Sequence, residues 1–183
     1  MRQRTTRIAL ALIMAIGLAM SAAGSTPASA AASSNPNRTI ISLAYGAHGE
    51  CLDLWNYDGP WIGMYRCHGG LNQDWAVWWD KYDNGLYVYT IRSHRSGQCI
   101  DGGVDKGWQL RQTPCSTGTA SRQQKWIMHT DPARPGWIQF ENYFNRGQCM
   151  DISDQGWGSA VISWDCVWGK DNQLWEPHDW VSD

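Results

Sequence analysis

Three aspartates in a repeated tripeptide and an unusual number of tryptophans are the residues best able to do chemistry in this sequence. The tripeptide is a cysteine, a hydrophobic residue and an aspartate, at residues 51–53, 99–101 and 149–151. An ionised carboxylate accepts directed hydrogen bonds, and tryptophan offers a flat apolar face with a polar edge. Only 2 phenylalanines accompany 13 tryptophans and 7 tyrosines. This imbalance indicates that some of the tryptophans act at the surface.

Catalytic patterns are not apparent beside these residues. Glycoside hydrolysis usually needs two carboxyls about 5–10 Å apart, and the three glutamates, Glu50, Glu141 and Glu176, lie in no recognisable motif. The five histidines are scattered without metal-binding spacing, and no Gly-x-Ser-x-Gly elbow is present. The sequence therefore favours a binding protein over an enzyme, with no metal and no other cofactor.

Four landmarks recur in the same order three times and define the elements that position these residues. Each first cysteine has a glycine two positions earlier, a second cysteine 16 or 17 residues later, and a closing Gln-x-Trp. The first cysteines lie 48 and 50 residues apart. The second cysteines are Cys67, Cys115 and Cys166, and the closing tryptophans are Trp75, Trp126 and Trp175. Self-similarity of this kind indicates three copies of one structural unit.

The first thirty residues predict export. Arg2, Arg4 and Arg7 make a basic start, and an uncharged run at 8–20 is too short to span a bilayer comfortably. Small residues then end in Ala28-Ser29-Ala30, which fits a secretory cleavage site. A short membrane anchor is the alternative. We expect a signal peptide at 1–30, a linker at 31–38 and a secreted domain at 39–183.

The secreted part is mildly acidic, because removing the three arginines leaves 12 basic against 17 acidic residues. Such a domain has no electrostatic reason to bind phosphate backbones or anionic lipid. No later segment is long and apolar enough to be a transmembrane helix. Nucleic acid and membrane insertion are therefore not expected.

The six cysteines of an exported chain are expected to form disulfides. Six cysteines allow 15 pairings, and the threefold repeat favours the one that is identical in each unit. The predicted bonds are Cys51–Cys67, Cys99–Cys115 and Cys149–Cys166. Each closes a loop of about 17 residues, which contributes about 3 kcal/mol in the chain-entropy model.

The segments between the landmarks indicate an all-β fold. Runs of strand type occur at 39–43, 86–91 and 137–140, with turn signals Asn84-Gly85 and Pro135-Gly136 ahead of two of them. Helical periodicity is absent. We predict about twelve strands in repeats of about 39–88, 89–136 and 137–183. The three closing tryptophans should form a shared core, because no unit has a core of its own.

These landmarks together resemble the ricin B-type lectins, also described as family 13 carbohydrate-binding modules. The resemblance covers about residues 39–183 and rests on the threefold Cys-hydrophobic-Asp, second cysteine and Gln-x-Trp. It implies a β-trefoil, in which a six-stranded barrel is capped by three hairpins around a pseudo-threefold axis. It also implies one shallow sugar pocket per repeat, for galactose- or xylose-type residues of glycans or polysaccharides.

The resemblance also implies the site residues. In the family the aspartate accepts hydroxyl hydrogens, an aromatic ring two positions before the second cysteine stacks on the sugar, and a polar residue before the glutamine adds hydrogen bonds. The matching residues are Asp53, Tyr65, Asn72 and Gln73 in the first repeat and Asp151, Trp164, Asn172 and Gln173 in the third.

The second repeat departs from this pattern and predicts a weak or inactive site. It retains Asp101 and Gln124, but Thr113 replaces the aromatic residue and Gln123 replaces the asparagine. A further departure concerns all repeats, because many family members have a glutamine four residues before the second cysteine. Gly63, Arg111 and Ile162 stand there instead, and this leaves the preferred sugar open.

Each assignment has a structural alternative. The aspartates could cap turns, the aromatic rings could pack at an edge, and the glutamines could only hold the pocket loop in shape. The remaining tryptophans between the cysteines either extend the sugar platform or shield the core; they are Trp55, Trp61, Trp108 and Trp157. The alternative function is a protein-binding β-trefoil, such as a protease inhibitor or a toxin component. Two intact pockets favour carbohydrate.

Overall fold

The computed structural model describes residues 38–42, 50–117, 122–153 and 158–179, all within the unit Ala32–Asp183. These ranges contain twelve strands and no α-helix, as the sequence predicted. The strands are β1 (Arg38–Ser42), β2 (Glu50–Leu54), β3 (Ile62–Arg66), β4 (Trp75–Asp83), β5 (Leu86–Ser93), β6 (Cys99–Asp101), β7 (Arg111–Thr113), β8 (Trp126–Thr130), β9 (Ile138–Asn142), β10 (Gln148–Ile152), β11 (Val161–Asp165) and β12 (Trp175–Asp179). The predicted signal peptide, and the predicted linker except residue 38, lie outside the described residues.

Six of the strands form a closed barrel and the other six form three hairpins. The barrel order is β1, β4, β5, β8, β9 and β12, and β12 pairs with β1 to close the ring. The hairpins are β2–β3, β6–β7 and β10–β11, and each is joined to the barrel by pairing with the preceding barrel strand. This is the β-trefoil that the resemblance implied.

The three closing tryptophans lie in one shared core, as predicted. Trp75, Trp126 and Trp175 are fully buried and belong to the same apolar cluster. Each indole N–H donates to the backbone oxygen of the middle residue of its own Cys-hydrophobic-Asp tripeptide, at 2.9, 3.3 and 3.2 Å. A buried indole N–H needs an acceptor. These bonds therefore connect the Gln-x-Trp of each repeat to its Cys-hydrophobic-Asp tripeptide.

The predicted disulfide pairing is confirmed in all three repeats, with Cys51 bonded to Cys67, Cys99 to Cys115 and Cys149 to Cys166. Each bond joins the first strand of a hairpin to the chain just after its second strand. The disulfides therefore hold the segment that leads into each Gln-x-Trp.

The ribbon formed by β4 and β5 breaks the threefold regularity. Its strands have 9 and 8 residues, whereas β8 and β9 have 5 each. The predicted turn at Asn84-Gly85 is present, with φ values of 49° and 83°. Within the described ranges, no helix has the length and hydropathy needed to cross a membrane.

Candidate functional site

The structure brings the four predicted residues of the first repeat together. Asp53 lies near the end of β2, Tyr65 lies in β3, and Asn72 and Gln73 lie in a short 3₁₀ turn, Leu71–Gln73. A shallow pocket of about 320 Å³ lies beside them. Its wall consists of three of the predicted residues and four others: Asp53, Tyr65, Asn72, Trp55, Asn56, Tyr57 and His68.

The carboxylate of Asp53 is held by side-chain amides on one oxygen. Its Oδ2 accepts hydrogen bonds from Asn72 Nδ2 at 2.9 Å and from Gln73 Nε2 at 2.8 Å, and His68 Nε2 lies 3.7 Å away. Among the described residues none donates to Oδ1. Burial raises the pKa of Asp53, against the opposing effect of Gln73, His68 and Asn72. The free oxygen can therefore accept a ligand hydroxyl.

Gln73 has the geometry of a positioning residue. Its side chain is fully buried, its Oε1 accepts the His68 backbone N–H at 2.8 Å, and its Nε2 also donates to the Arg66 oxygen at 2.8 Å. A side chain without exposed surface cannot touch a ligand. Gln73 instead connects Asp53 to the chain that follows the disulfide.

Aromatic rings surround the open side of this pocket. Tyr65 is 52% exposed, and the His68 ring packs edge-on against it with centroids 6.0 Å apart. Tyr57 is 49% exposed and follows Asn56, both with positive φ, and Trp55 completes the wall. Sequence comparison between repeats did not identify Tyr57 or His68, because neither belongs to a repeated landmark.

The third repeat has the corresponding Asp–Asn–Gln network, but here each carboxylate oxygen accepts one of the two amides. Asp151 Oδ1 accepts from Asn172 Nδ2 at 2.8 Å, and Oδ2 accepts from Gln173 Nε2 at 2.6 Å. Gln173 is fully buried, accepts the Val167 N–H and donates to the Asp165 oxygen, each at 2.8 Å. Burial raises the pKa of Asp151, against the effects of Gln173, Lys170 and Asn172. Trp157 lies outside the described residues.

The two asparagines share a further feature. Asn72 Oδ1 and Asn172 Oδ1 are both buried without a hydrogen-bond partner in the described structure. A buried acceptor without a partner costs free energy, and the same cost recurs in both repeats. Both oxygens belong to amides that donate to the site carboxylates.

The aromatic platform of the third repeat is contacted by a cation from the second repeat. Trp164 is 39% exposed, and Lys106 Nζ lies 4.4 Å from the centroid of its ring. Lys106 also forms an ion pair with Asp165. This side chain therefore occupies part of the space over the ring, and that distinguishes the third-repeat site from the first.

The second repeat does not form the same network. Asp101 Oδ1 accepts the Gly103 N–H at 2.8 Å, so this aspartate caps a turn. Its Oδ2 accepts from the Thr113 hydroxyl at 3.3 Å, and that hydroxyl accepts from Gln124 Nε2 at 2.6 Å. Gln123 contributes its backbone oxygen, which accepts from Gly102 N and Asn142 Nδ2. The threonine thus stands between the carboxylate and the glutamine.

The other tryptophans between the cysteines have different surroundings. The Trp55 ring lies against Gly63, and the Trp108 ring lies against Gly103. Trp61 is 39% exposed and is joined to Arg111 by an isolated β-bridge. Of these residues, only Trp55 lines the pocket of the first repeat.

Comparison with known proteins identifies the family. Residues 39–175 match the family model of the ricin-type beta-trefoil lectin domain. Because this match covers well over half of the chain, the protein belongs to the ricin-type β-trefoil lectin family. Family membership supports a carbohydrate-binding role. The chain has no significant match among curated proteins.

Several solved structures share the fold. The designed three-fold symmetric protein ThreeFoil has a TM-score of 0.66 at 23% identity, over 80% of this chain and 100% of its own. The Macrolepiota procera ricin B-like lectin in complex with lactose has a TM-score of 0.61 at 23% identity, over 80% and 97%. The Rhizoctonia solani agglutinin has a TM-score of 0.62 at 21% identity, over 85% and 100%. At these identities the likeness shows the fold.

Proposed function

We propose that this protein is a secreted lectin that binds galactose- or xylose-type residues of glycans or polysaccharides without chemical conversion. The observation that carries the proposal is the buried Asp–Asn–Gln network beside an exposed aromatic ring in the first and third repeats. The similar Macrolepiota procera lectin was solved with lactose, a galactose-containing disaccharide, and this supports the galactose-type option. Export is supported by the N-terminal sequence pattern.

The geometry suits recognition of a pyranose. Tyr65 or Trp164 offers a flat face for the C–H patch of the sugar, and Asp53 or Asp151 accepts hydrogen bonds from its hydroxyls. The buried amides hold the carboxylates in place before the ligand arrives, which reduces the ordering cost of binding.

Shallow pockets of this kind bind weakly, at about millimolar to high micromolar dissociation constants, or about −4 to −6 kcal/mol. Two pockets on one rigid scaffold raise the apparent affinity for ligands that present many copies of the sugar. We therefore expect polysaccharides or glycan-covered surfaces to be better ligands than free monosaccharides.

The test is binding of the oxidised mature protein to a glycan and polysaccharide panel, with Tyr65→Ala, Trp164→Ala and the double variant. Loss of a stacking ring should weaken each pocket about tenfold or more, and the double variant should not bind. Tyr65→Phe keeps the ring and should bind nearly as well as wild type. Tyr87→Ala is the matched control, because Tyr87 is 48% exposed but lies in the β4–β5 ribbon.

Two results would contradict the proposal. If folded wild type binds no glycan, a protein-binding β-trefoil becomes the leading function. If both ring substitutions leave binding unchanged, the pocket assignment is wrong. Circular dichroism of each variant establishes that the fold is retained.

A further inference from the structure

A second cavity of similar size lies on the outer face of the β4–β5 ribbon. Its volume is about 310 Å³, and its lining is Ala76, Trp78, Arg92, Ser93, His94 and Gly97. Ala76 pairs with Arg92 across the ribbon, and Trp78 lies two residues along from Ala76. These three side chains therefore share one face, opposite to that of the core residue Trp75. Its lining shares no residue with the first-repeat pocket.

The aromatic ring and the cation of this cavity are not required by the trefoil scaffold. Trp78 is 41% exposed. The equivalent positions at the junction of the second and third repeats follow from the strand register. There Ile127 pairs with Glu141, just as Ala76 pairs with Arg92 at the first junction. His129 stands there in place of Trp78. The His129 ring packs edge-on against Trp168, with centroids 4.8 Å apart, and Glu141 gives this junction a carboxylate where the first junction has the Arg92 guanidinium.

The guanidinium of Arg92 is held in place but is not neutralised. Its Nε donates to the Gly97 oxygen at 2.6 Å, and no carboxylate of the described residues pairs with it. Arg146 differs, because its Nε lies 2.8 Å from Glu141 Oε1. The remaining N–H groups of Arg92 can donate two parallel hydrogen bonds to a carboxylate of a ligand.

His94 adds a fixed polar group to the rim. Its Nδ1 lies 2.7 Å from Asp74 Oδ2, and this contact fixes the orientation of the ring. The other ring nitrogen, Nε2, has no partner among the described residues. Asp74 directly follows Asn72 and Gln73 of the first-repeat site. Arg95, next to His94, lies over the ring of Tyr57 at 4.3 Å. These contacts connect the cavity to the wall of the first-repeat pocket.

We propose that this cavity binds a sugar residue that carries a carboxylate, that is, a uronic acid residue. The indole of Trp78 would cover the apolar face of the pyranose, Arg92 would bind its carboxylate, and His94 would hydrogen-bond a hydroxyl. The proposal rests on the proposed function only in treating the protein as a carbohydrate binder. It adds a separate ligand class at a site distinct from the Asp–Asn–Gln sites of the repeats.

The experiment follows the tryptophan indole N–H signals by NMR while oxidised mature protein is titrated with galacturonic or glucuronic acid, and separately with lactose or xylose. The variants are Trp78→Ala, Arg92→Gln and Arg92→Lys, and the Trp78 signal is assigned from its loss in Trp78→Ala. Trp79→Ala is the matched control, because Trp79 is 50% exposed but points to the opposite face of the ribbon. Tyr65→Ala reports separately on the first-repeat pocket.

Uronic acid should shift the Trp78 signal in wild type, whereas the uncharged sugars should not. Arg92→Gln should weaken uronic acid binding about tenfold or more, since a charged hydrogen-bonded pair is lost. Trp78→Ala should weaken uronic acid binding to a similar extent, measured from the indole N–H signals of the neighbouring tryptophans. Trp79→Ala should leave uronic acid binding unchanged. Arg92→Lys should give an intermediate loss, because lysine keeps the charge without the planar fork. Added salt should also weaken binding.

The proposal is wrong if folded wild type binds no uronic acid, or if Trp78→Ala and Arg92→Gln bind it as wild type does. It is also wrong if uronic acid binding is lost only in Tyr65→Ala, which would place that ligand in the first-repeat pocket. Failure of the proposed function gives a different result, in which uronic acid still shifts Trp78 but no uncharged sugar shows binding that depends on Tyr65 or Trp164.

Discussion

At the residue scale, one repeated tripeptide gives three carboxylates in two kinds of surroundings. Asp53 and Asp151 accept hydrogen bonds from a buried asparagine and glutamine. Asp101 caps a turn and contacts the Thr113 hydroxyl. The difference arises because the side-chain amide of Gln124 donates to the Thr113 hydroxyl instead of to the aspartate. The identity of the motif therefore does not by itself decide the role of its aspartate.

Glu141 is a second carboxylate whose surroundings control its charge. It is 5% exposed and contacts His129 Nε2 at 2.7 Å, Arg146 Nε at 2.8 Å and the Gly147 N–H at 2.8 Å. Burial, the largest single influence, raises the pKa of Glu141. The hydrogen bonds from His129, Arg146 and Gly147 together outweigh it and lower the pKa to about 2.

This lowered pKa predicts a loss of stability in acid. The carboxyl titrates near 4.5 when unperturbed, so its contribution is present above that pH and is lost as pH falls toward about 2. We expect wild type to lose on the order of 2 kcal/mol of unfolding free energy from this group. In Glu141→Gln this part of the pH dependence should be missing.

Urea unfolding of both proteins at about pH 6, 4 and 2.5 measures the effect. The raised pKa values of Asp53 and Asp151 act with the opposite sign. They are common to both proteins and cancel in the difference. Equal pH dependence of wild type and Glu141→Gln would show that Glu141 is not coupled to folding in this way.

At the element scale, the β2–β3 hairpin is shaped by one tryptophan and one glycine. A Cβ at Gly63 would lie 2.1 Å from the Trp55 indole, which is closer than any real contact allows. Gly63 occupies the position where many family members have glutamine, and the indole of Trp55 fills the space that a side chain would need. The ring thereby reaches the wall of the first-repeat pocket.

This packing predicts strong coupling between the two positions. Gly63→Ala should destabilise the protein by about 1–3 kcal/mol, because the indole must move out of its place. In a Trp55→Ala background the same substitution should cost less than about 0.5 kcal/mol, because the clash is gone. The four proteins of this double-mutant cycle are compared by urea unfolding.

Sugar binding provides a second readout of the same packing. Gly63→Ala should weaken the first-repeat pocket and leave the third pocket unchanged, since only the wall of the first is displaced. If Gly63→Ala costs the same unfolding free energy with and without Trp55, the Trp55 indole is not the reason why a side chain at position 63 is unfavourable.

At the scale of the whole molecule, the repeats share one core but each has its own disulfide. Trp75, Trp126 and Trp175 lie in a single apolar cluster, so no repeat can lose its structure without exposing part of the others. The disulfides close loops with sequence separations of 16, 16 and 17. Stability should therefore be distributed evenly over the three repeats.

Removal of any one disulfide should have nearly the same effect. Replacing Cys51 and Cys67 with serine, or either of the other two pairs, should lower the unfolding free energy by about 3 kcal/mol, because the loops have nearly equal length. Unfolding should remain a single cooperative transition. Urea denaturation monitored by both tryptophan fluorescence and circular dichroism tests this. Two separate transitions in one variant would mean that its repeat unfolds independently.

Residue types and their spacing along the chain were enough to predict the number of repeats, the disulfide pairing, the all-β class and the buried tryptophans. Each of these depends on spacing along one unit, and threefold recurrence separates such spacing from chance. The resemblance to the ricin B-type lectins supplied Asp53, Tyr65, Asn72 and Gln73 as expected site residues. They lie close together in the structure because one hairpin and one turn carry all four.

Contacts between distant parts of the chain became apparent only in the folded molecule. Lys106 of the second repeat lies over Trp164 of the third, and Arg95 lies over Tyr57 at the wall of the first pocket. The cavity at Trp78 and Arg92 depends on the register of β4 with β5. Spacing within one repeat cannot predict these contacts, because they depend on how the closed barrel brings neighbouring repeats together.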